Sequence, residues 1–135
     1  METAANPLEG ICAHLEFLGF KITRRENGAR ADTEQSTPRI VLVAEKPSGF
    51  LFTSSYTSAE GAKNNRLGYL EWLNLMIQKS ALITAFAEND GTLTFACLFP
   101  KIYDKQLFGT FFETFRNDIR NALYGPGTKV EEFLA

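Results

Sequence analysis

The sequence predicts an α+β domain with the order α-β-β-β-α-β-β-α, five mostly antiparallel strands packed with helices that each carry an apolar face. Three observations predict it. Segments near the N-terminus and from about Asp104 to Tyr124 repeat their apolar residues at helical spacing. Between them lie short β-branched and aromatic runs bounded by turn signals. No internal repeat or long linker divides the 135 residues, so 1–135 is expected to be a single domain.

The first helix begins at "NPLEG". Asn6 suits the N-cap, Pro7 the first helical position, and Glu9 completes a capping pair. Leu8, Ile11, Cys12, Leu15 and Leu18 then form one stripe, and Gly19 stops it. "FKITRR" reads as a strand closed by an Asn27-Gly28 turn, after which residues 26–37 offer almost nothing to bury and are expected to be an exposed connection. "PRIVLVAE" is the next strand, with Ile40 to Val43 apolar on both faces as in a strand covered from two sides. A Lys46-Pro47-Ser48-Gly49 turn returns the chain through "FLFTSSYT", and Ser58 is a candidate cap for the following helix.

That second helix, "AKNNRLGYLEWLNLMIQKS", is apolar over an unusually wide arc. Leu67, Leu70, Leu73 and Ile77 occupy one sector and are expected to face the core. Tyr69, Trp72 and Met76 occupy an adjoining sector about 100° further round. Such a helix must be covered from more than one side. Asp90-Gly91 then marks a hairpin, and a two-residue loop there sets Phe86 opposite Phe95 and Thr84 opposite Cys97. In that register Leu82, Phe86, Leu93, Phe95, Cys97 and Phe99 share one face, and Ile83, Ala85, Ala87, Thr94, Ala96 and Leu98 the other. Pro100 ends the ladder and Asp104 caps the last long helix. Its residues Leu107, Phe108, Phe111, Phe112, Phe115, Ile119 and Leu123 fall within about 160° of arc. "GPG" at 125–127 is the stop, and Val130, Phe133 and Leu134 equip the tail to dock.

Composition narrows the function classes. A net charge of −2 and a pI near 5.5 argue against nucleic-acid binding as the main work. No apolar run approaches the roughly 18–20 residues needed to span a bilayer, and the acidic "METAANPLEG" is not a signal peptide. Cys12 and Cys97 lie in apolar contexts without CxxC spacing and read as buried thiols of a reducing, cytoplasmic protein. His14 is the only histidine, which removes triads and multi-histidine metal sites. Cys12 and His14 point about 200° apart on a helix. Glu88-Asp90-Gly91 fails as a calcium loop because Phe86 would fall at a ligand position. No glycine-rich phosphate loop is present, and the mixed charges of the first third read as a solvated face. No catalytic or metal-binding residue, cofactor or enzyme activity is therefore expected.

The stretch "NRLGYLEWLNLMIQKSALITAFAENDGTLTFACLFP", followed by a Phe-rich amphipathic helix, resembles the YbjN-type proteins, whose family name is that of sensory transduction regulators. The resemblance rests on the pair Leu73-Asn74, the Asp90-Gly91 turn and the aromatic closing helix. It implies a fold similar to the class I type III secretion chaperones, and a non-enzymatic protein-interaction domain, chaperone-like or regulatory, acting as a homodimer. Chaperones of that fold commonly dimerise through the second helix, which makes Tyr69, Trp72 and Met76 the candidate dimer interface. Coverage of the same sector by Phe133 and Leu134 of the tail is the competing expectation. Ile83, Ala85, Ala96 and Leu98 are the candidate face for an unknown protein partner. An alternative is a sensor of small apolar ligands, its pocket lined by Phe86, Phe95, Phe108, Phe112 and Phe115 between sheet and closing helix.

Overall fold

The chain first reverses at Glu26-Asn27, where Asn27 takes a left-handed φ of 60°, a conformation asparagine tolerates better than most residues. That turn creates a strand which composition conceals. The computed structural model describes residues 6–125 and 128–135. Its order is α1 (Pro7–Phe17), β1 (Lys21–Arg25), β2 (Gly28–Asp32), β3 (Ile40–Lys46), β4 (Gly49–Tyr56), α2 (Glu60–Asn64), α3 (Arg66–Lys79), β5 (Thr84–Ala87), β6 (Leu93–Phe99), α4 (Lys105–Tyr124) and α5 (Val130–Phe133). Two expectations fall partly outside the described residues: the leader-free start on 1–5, and the "GPG" stop on 126–127. Gly125 itself closes α4, its N–H bonded to the Asn121 carbonyl at 2.9 Å.

The sheet has six strands in the order β1-β2-β3-β4-β6-β5, every neighbouring pair antiparallel. The sixth is β2, in the stretch expected to be an exposed connection. Ala29 and Ala31 are 1% and 0% exposed. They are small because α1 lies against β1 and β2, bringing the buried Leu8, Ile11, Cys12 and Leu15 close to the sheet. Gly28 also has a structural reason. A Cβ there would stand 2.1 Å from the Val43 carbonyl oxygen.

α4 supplies the core opposite the sheet centre. Asp104 caps it by accepting from Leu107 N–H at 2.8 Å. Phe108, Phe111, Phe112, Phe115, Ile119 and Leu123 are buried, while Leu107 at the start of the arc is exposed. Phe52 of β4 sits among these rings, 5.1 Å from Phe111 and 5.8 Å from Phe108 between centroids. Such edge and tilted pairs are favourable aromatic geometry.

The anticipated second helix is two. Asn65 interrupts it and caps α3 through its side chain, which accepts from Gly68 N–H at 3.1 Å. Ser58, the expected cap, instead bridges to Leu134. α3 is also rotated from expectation. Tyr69, Trp72, Leu73 and Met76 are buried, whereas Leu67, Leu70 and Ile77 are exposed. The cause is the tail. Phe133 packs 5.3 Å from Tyr69 and 5.5 Å from Trp72, and Tyr69 Oη donates to the Gly91 carbonyl at 3.1 Å. Tyr69, Trp72 and Met76 are therefore core of one chain, not a free dimer interface.

Candidate interaction face

The β5–β6 hairpin decides which side chains look outward. Phe86 pairs with Thr94 and Ala85 with Phe95, one residue away from the expected register. The loop proper is Asn89-Asp90-Gly91, closed by Glu88 N–H donating to the Thr92 carbonyl at 2.8 Å. Gly91 has φ +95°, the left-handed third residue typical of three-residue hairpin loops. Asp90 stabilises it by accepting from Thr92 N–H at 2.9 Å, and this hydrogen bonding holds its carboxyl below the usual range.

A one-residue slip exchanges the faces of a strand, and it does so here on β5 alone. Ile83 is 4% exposed and, with Ala85, turns to the core. Ala96 and Leu98 of β6 have the outward register, but only Leu98 is exposed, at 47%; Ala96 is buried at 7%. The candidate partner face thus loses Ile83 and Ala85 and gains Leu82 and Phe86.

Register extends this outer face across the sheet. Leu98 pairs with Leu51, Leu51 with Ala44, Ala96 with Thr53, and Thr53 with Leu42. Ile40 lies two residues before Leu42, on the same side. Of these, Ile40 and Leu42 are 43% and 37% exposed, Leu82 37%, and Phe86 and Leu98 47% each. Ile40 and Leu42 correct the expectation of a strand covered twice, since Val41 and Val43 alone are buried. No described helix covers this side. Half-exposed apolar side chains are thus gathered on one face of the sheet.

On the opposite side, the described residues fill the space where a pocket was expected. Phe108, Phe112 and Phe115 stack at 5.7 and 6.0 Å between successive centroids and, with Phe95, are fully buried. Phe86 lies on the other face of the sheet. The space expected to be a ligand pocket is filled by rings. A cleft of about 250 Å³ opens instead between α3 and α4, with Met76, Lys79, Asn121 and Ala122 among its walls.

The candidate chemical groups are dispersed. His14 Nδ1 lies 2.9 Å from Tyr103 Oη and its ring is edge-on to Phe108. Burial and then the Lys105 charge lower its pKa. Burial raises both thiols, Cys12 in the core and the half-buried Cys97. No group of three metal-ligating side chains gathers among the described residues. Among them, too, no helix is long and apolar enough to cross a membrane.

No family model and no curated protein matches the sequence. Among solved structures, the chain is similar to that of "YbjN, a putative transcription regulator from E. coli", with a TM-score of 0.68 and 14% identity, over 98% of this chain and 99% of that one. Identity that low speaks for the fold and not for the activity. The α+β architecture anticipated from the sequence, with its sixth strand added, is the YbjN fold.

Proposed function

We propose that the protein is a non-enzymatic, protein-binding regulatory adaptor of the cytoplasm whose working surface is the open face of its sheet. The observation that carries this reading is the continuity of half-exposed apolar side chains from Ile40 and Leu42 through Leu51 and Leu98 to Leu82 and Phe86. The two unpaired cysteines suit a reducing compartment.

Leu98→Asp tests the face. Leu98 points to solvent, so the variant should fold with a stability change within about 1 kcal/mol. Gentle purification from the native source should yield a stoichiometric polypeptide with the wild type and none with Leu98→Asp or Leu42→Asp. Retention of every polypeptide by both folded variants would remove the face from consideration.

The reading includes a homodimer. With Tyr69 and Trp72 packed against Phe133 and Met76 buried, its contact is the outward stripe of α3, where Leu67 is 69% exposed beside Leu70 and Ile77. Light scattering after size exclusion should show a dimer that Leu70→Glu converts to a monomer of 15.1 kDa. A wild-type monomer at high micromolar concentration is the contrary result.

A further inference from the structure

Asp118 holds a charge that its surroundings leave unmatched. It is 7% exposed, and a carboxylate buried that far is ordinarily paired with a cation. Among the described residues, no ion pair reaches it. The neighbouring arginines of α4 are engaged elsewhere, Arg116 with Glu113 at 2.8 Å and Arg120 with Asn117 at 2.6 Å. The amides of Ala81, Leu82 and Ile83 occupy three acceptor positions of Asp118, and a carboxylate has about four. A place on Oδ1 remains, together with the negative charge itself.

Asp118 stands in the wall of the cleft between α3 and α4. Two stripes at three-to-four spacing line this cleft, Trp72, Met76 and Lys79 from α3, and Asp118, Asn121 and Ala122 from α4. Ala122 offers it only a methyl group. The space of about 250 Å³ is the share of about eight waters in the liquid, room for a molecule of about ten heavy atoms. Trp72 and Met76, 4% and 6% exposed, supply its apolar wall. Phe133 holds the indole at 5.5 Å between centroids, so this wall is set before a ligand arrives.

The fixed polar groups of the cleft can only accept. Ser80 Oγ donates to the Met76 carbonyl and Thr128 Oγ1 to the Ala122 carbonyl, both at 2.8 Å, which commits both protons. With Asp118 they form a set that calls for a donor, and an indole beside it favours a cation. Lys79 and Asn121, in the same walls, are exposed and carry donors. An ammonium alone would leave Lys79 as a repelling neighbour, and a carboxylate alone would meet Asp118. A molecule with both charges answers both.

We infer that the cleft binds a free α-amino acid with an apolar side chain. Its ammonium pairs with Asp118, its carboxylate with Lys79 and Asn121, and its side chain lies against Trp72, Met76 and Ala122. The terminus of a polypeptide brings only one of the two charges. None of the cleft's walls belongs to the open sheet face, so this is a second site, separate from the one proposed for protein.

Trp72 is the only tryptophan, and its emission reads the cleft directly. The full chain is titrated with leucine, methionine and phenylalanine, then with 3-methylbutylamine and 4-methylpentanoate, which are leucine without its carboxylate and without its amino group. At least one amino acid should change the emission saturably and raise the melting temperature. Each analogue should bind at least about tenfold more weakly than leucine. Lys79 is exposed, so Lys79→Met should melt as wild type does. It should weaken the amino acid about tenfold and spare 3-methylbutylamine. Ala122→Leu fills the cleft and should abolish binding of every ligand. No saturable response from any of the three amino acids overturns the inference. An analogue that binds as tightly as leucine overturns it too, and so does amino-acid binding that Lys79→Met leaves unchanged.

Discussion

Phe133→Ala is expected to cost about 3–5 kcal/mol of stability, the usual penalty for emptying a phenylalanine site in a packed core. Phe133 is 0% exposed and fills the space against Tyr69 and Trp72. Its backbone is tied as well. Ala59 N–H donates to the Phe133 carbonyl at 2.8 Å, and Ala135 N–H donates to the Thr57 carbonyl at 2.9 Å. A loss of that size should lower the melting temperature by on the order of 10–20 °C in a domain of this length. Trp72 is the only tryptophan, so its emission reports on the site directly and should shift to the red as water enters. If melting and emission both stay at wild-type values, α5 is not seated on α3 in solution. The Tyr69-Trp72-Met76 surface would then be open to a second chain after all.

That contest was visible in the sequence but not decided by it. α3 is apolar nearly all round, so periodicity offers several acceptable core faces, and only tertiary contacts choose among them. Phe133, four elements further along in the chain, makes the choice. α4 shows the opposite situation. Its apolar residues are confined to one arc, a cap stands at Asp104, and both were readable because no second arrangement competes. β2 was hidden for a third reason. Its buried residues are Ala29 and Ala31, small enough to admit α1, and strand recognition depends on bulky β-branched and aromatic residues.

The candidate face was half legible for a related cause. On β6 the outward Ala96 and Leu98 follow from alternation with Leu93, Phe95 and Phe99. Along β5 and the two residues before it both sides are apolar, Leu82 and Phe86 against Ile83 and Ala85, so either register satisfies the pattern. Polar partners settle it: Thr84 Oγ1 donates to the Ala96 carbonyl at 3.3 Å, and Ser55 meets Thr94 at 2.9 Å on the outer side. Three hydroxyl residues grouped on one face were the available signal. They are a weaker one than the Phe86–Phe95 pair that favoured the other register.

Asp118 fixes the approach to that strand and carries the second large effect. It is 7% exposed, on the buried side of α4. Its Oδ1 accepts from Ala81 N–H at 3.1 Å and its Oδ2 from Leu82 and Ile83 N–H at 2.7 and 3.1 Å. Three consecutive amides leaving α3 thus converge on one carboxylate from a helix more than thirty residues later. Asp118→Ala should cost about 2–4 kcal/mol, since the Ile83 amide loses its acceptor where water has little access. Asp118→Asn should recover only part of this. It keeps one acceptor oxygen but turns an amide NH₂ toward the remaining donors. Hydrogen exchange locates the effect. Protection should fall at 81–83 first, before β4 and β6 are affected. Wild-type melting with intact protection in both variants would mean that pairing with β6 alone holds β5 in place. The expected result ties stability to function, because the segment Asp118 pins delivers Leu82 and Phe86 to the open face.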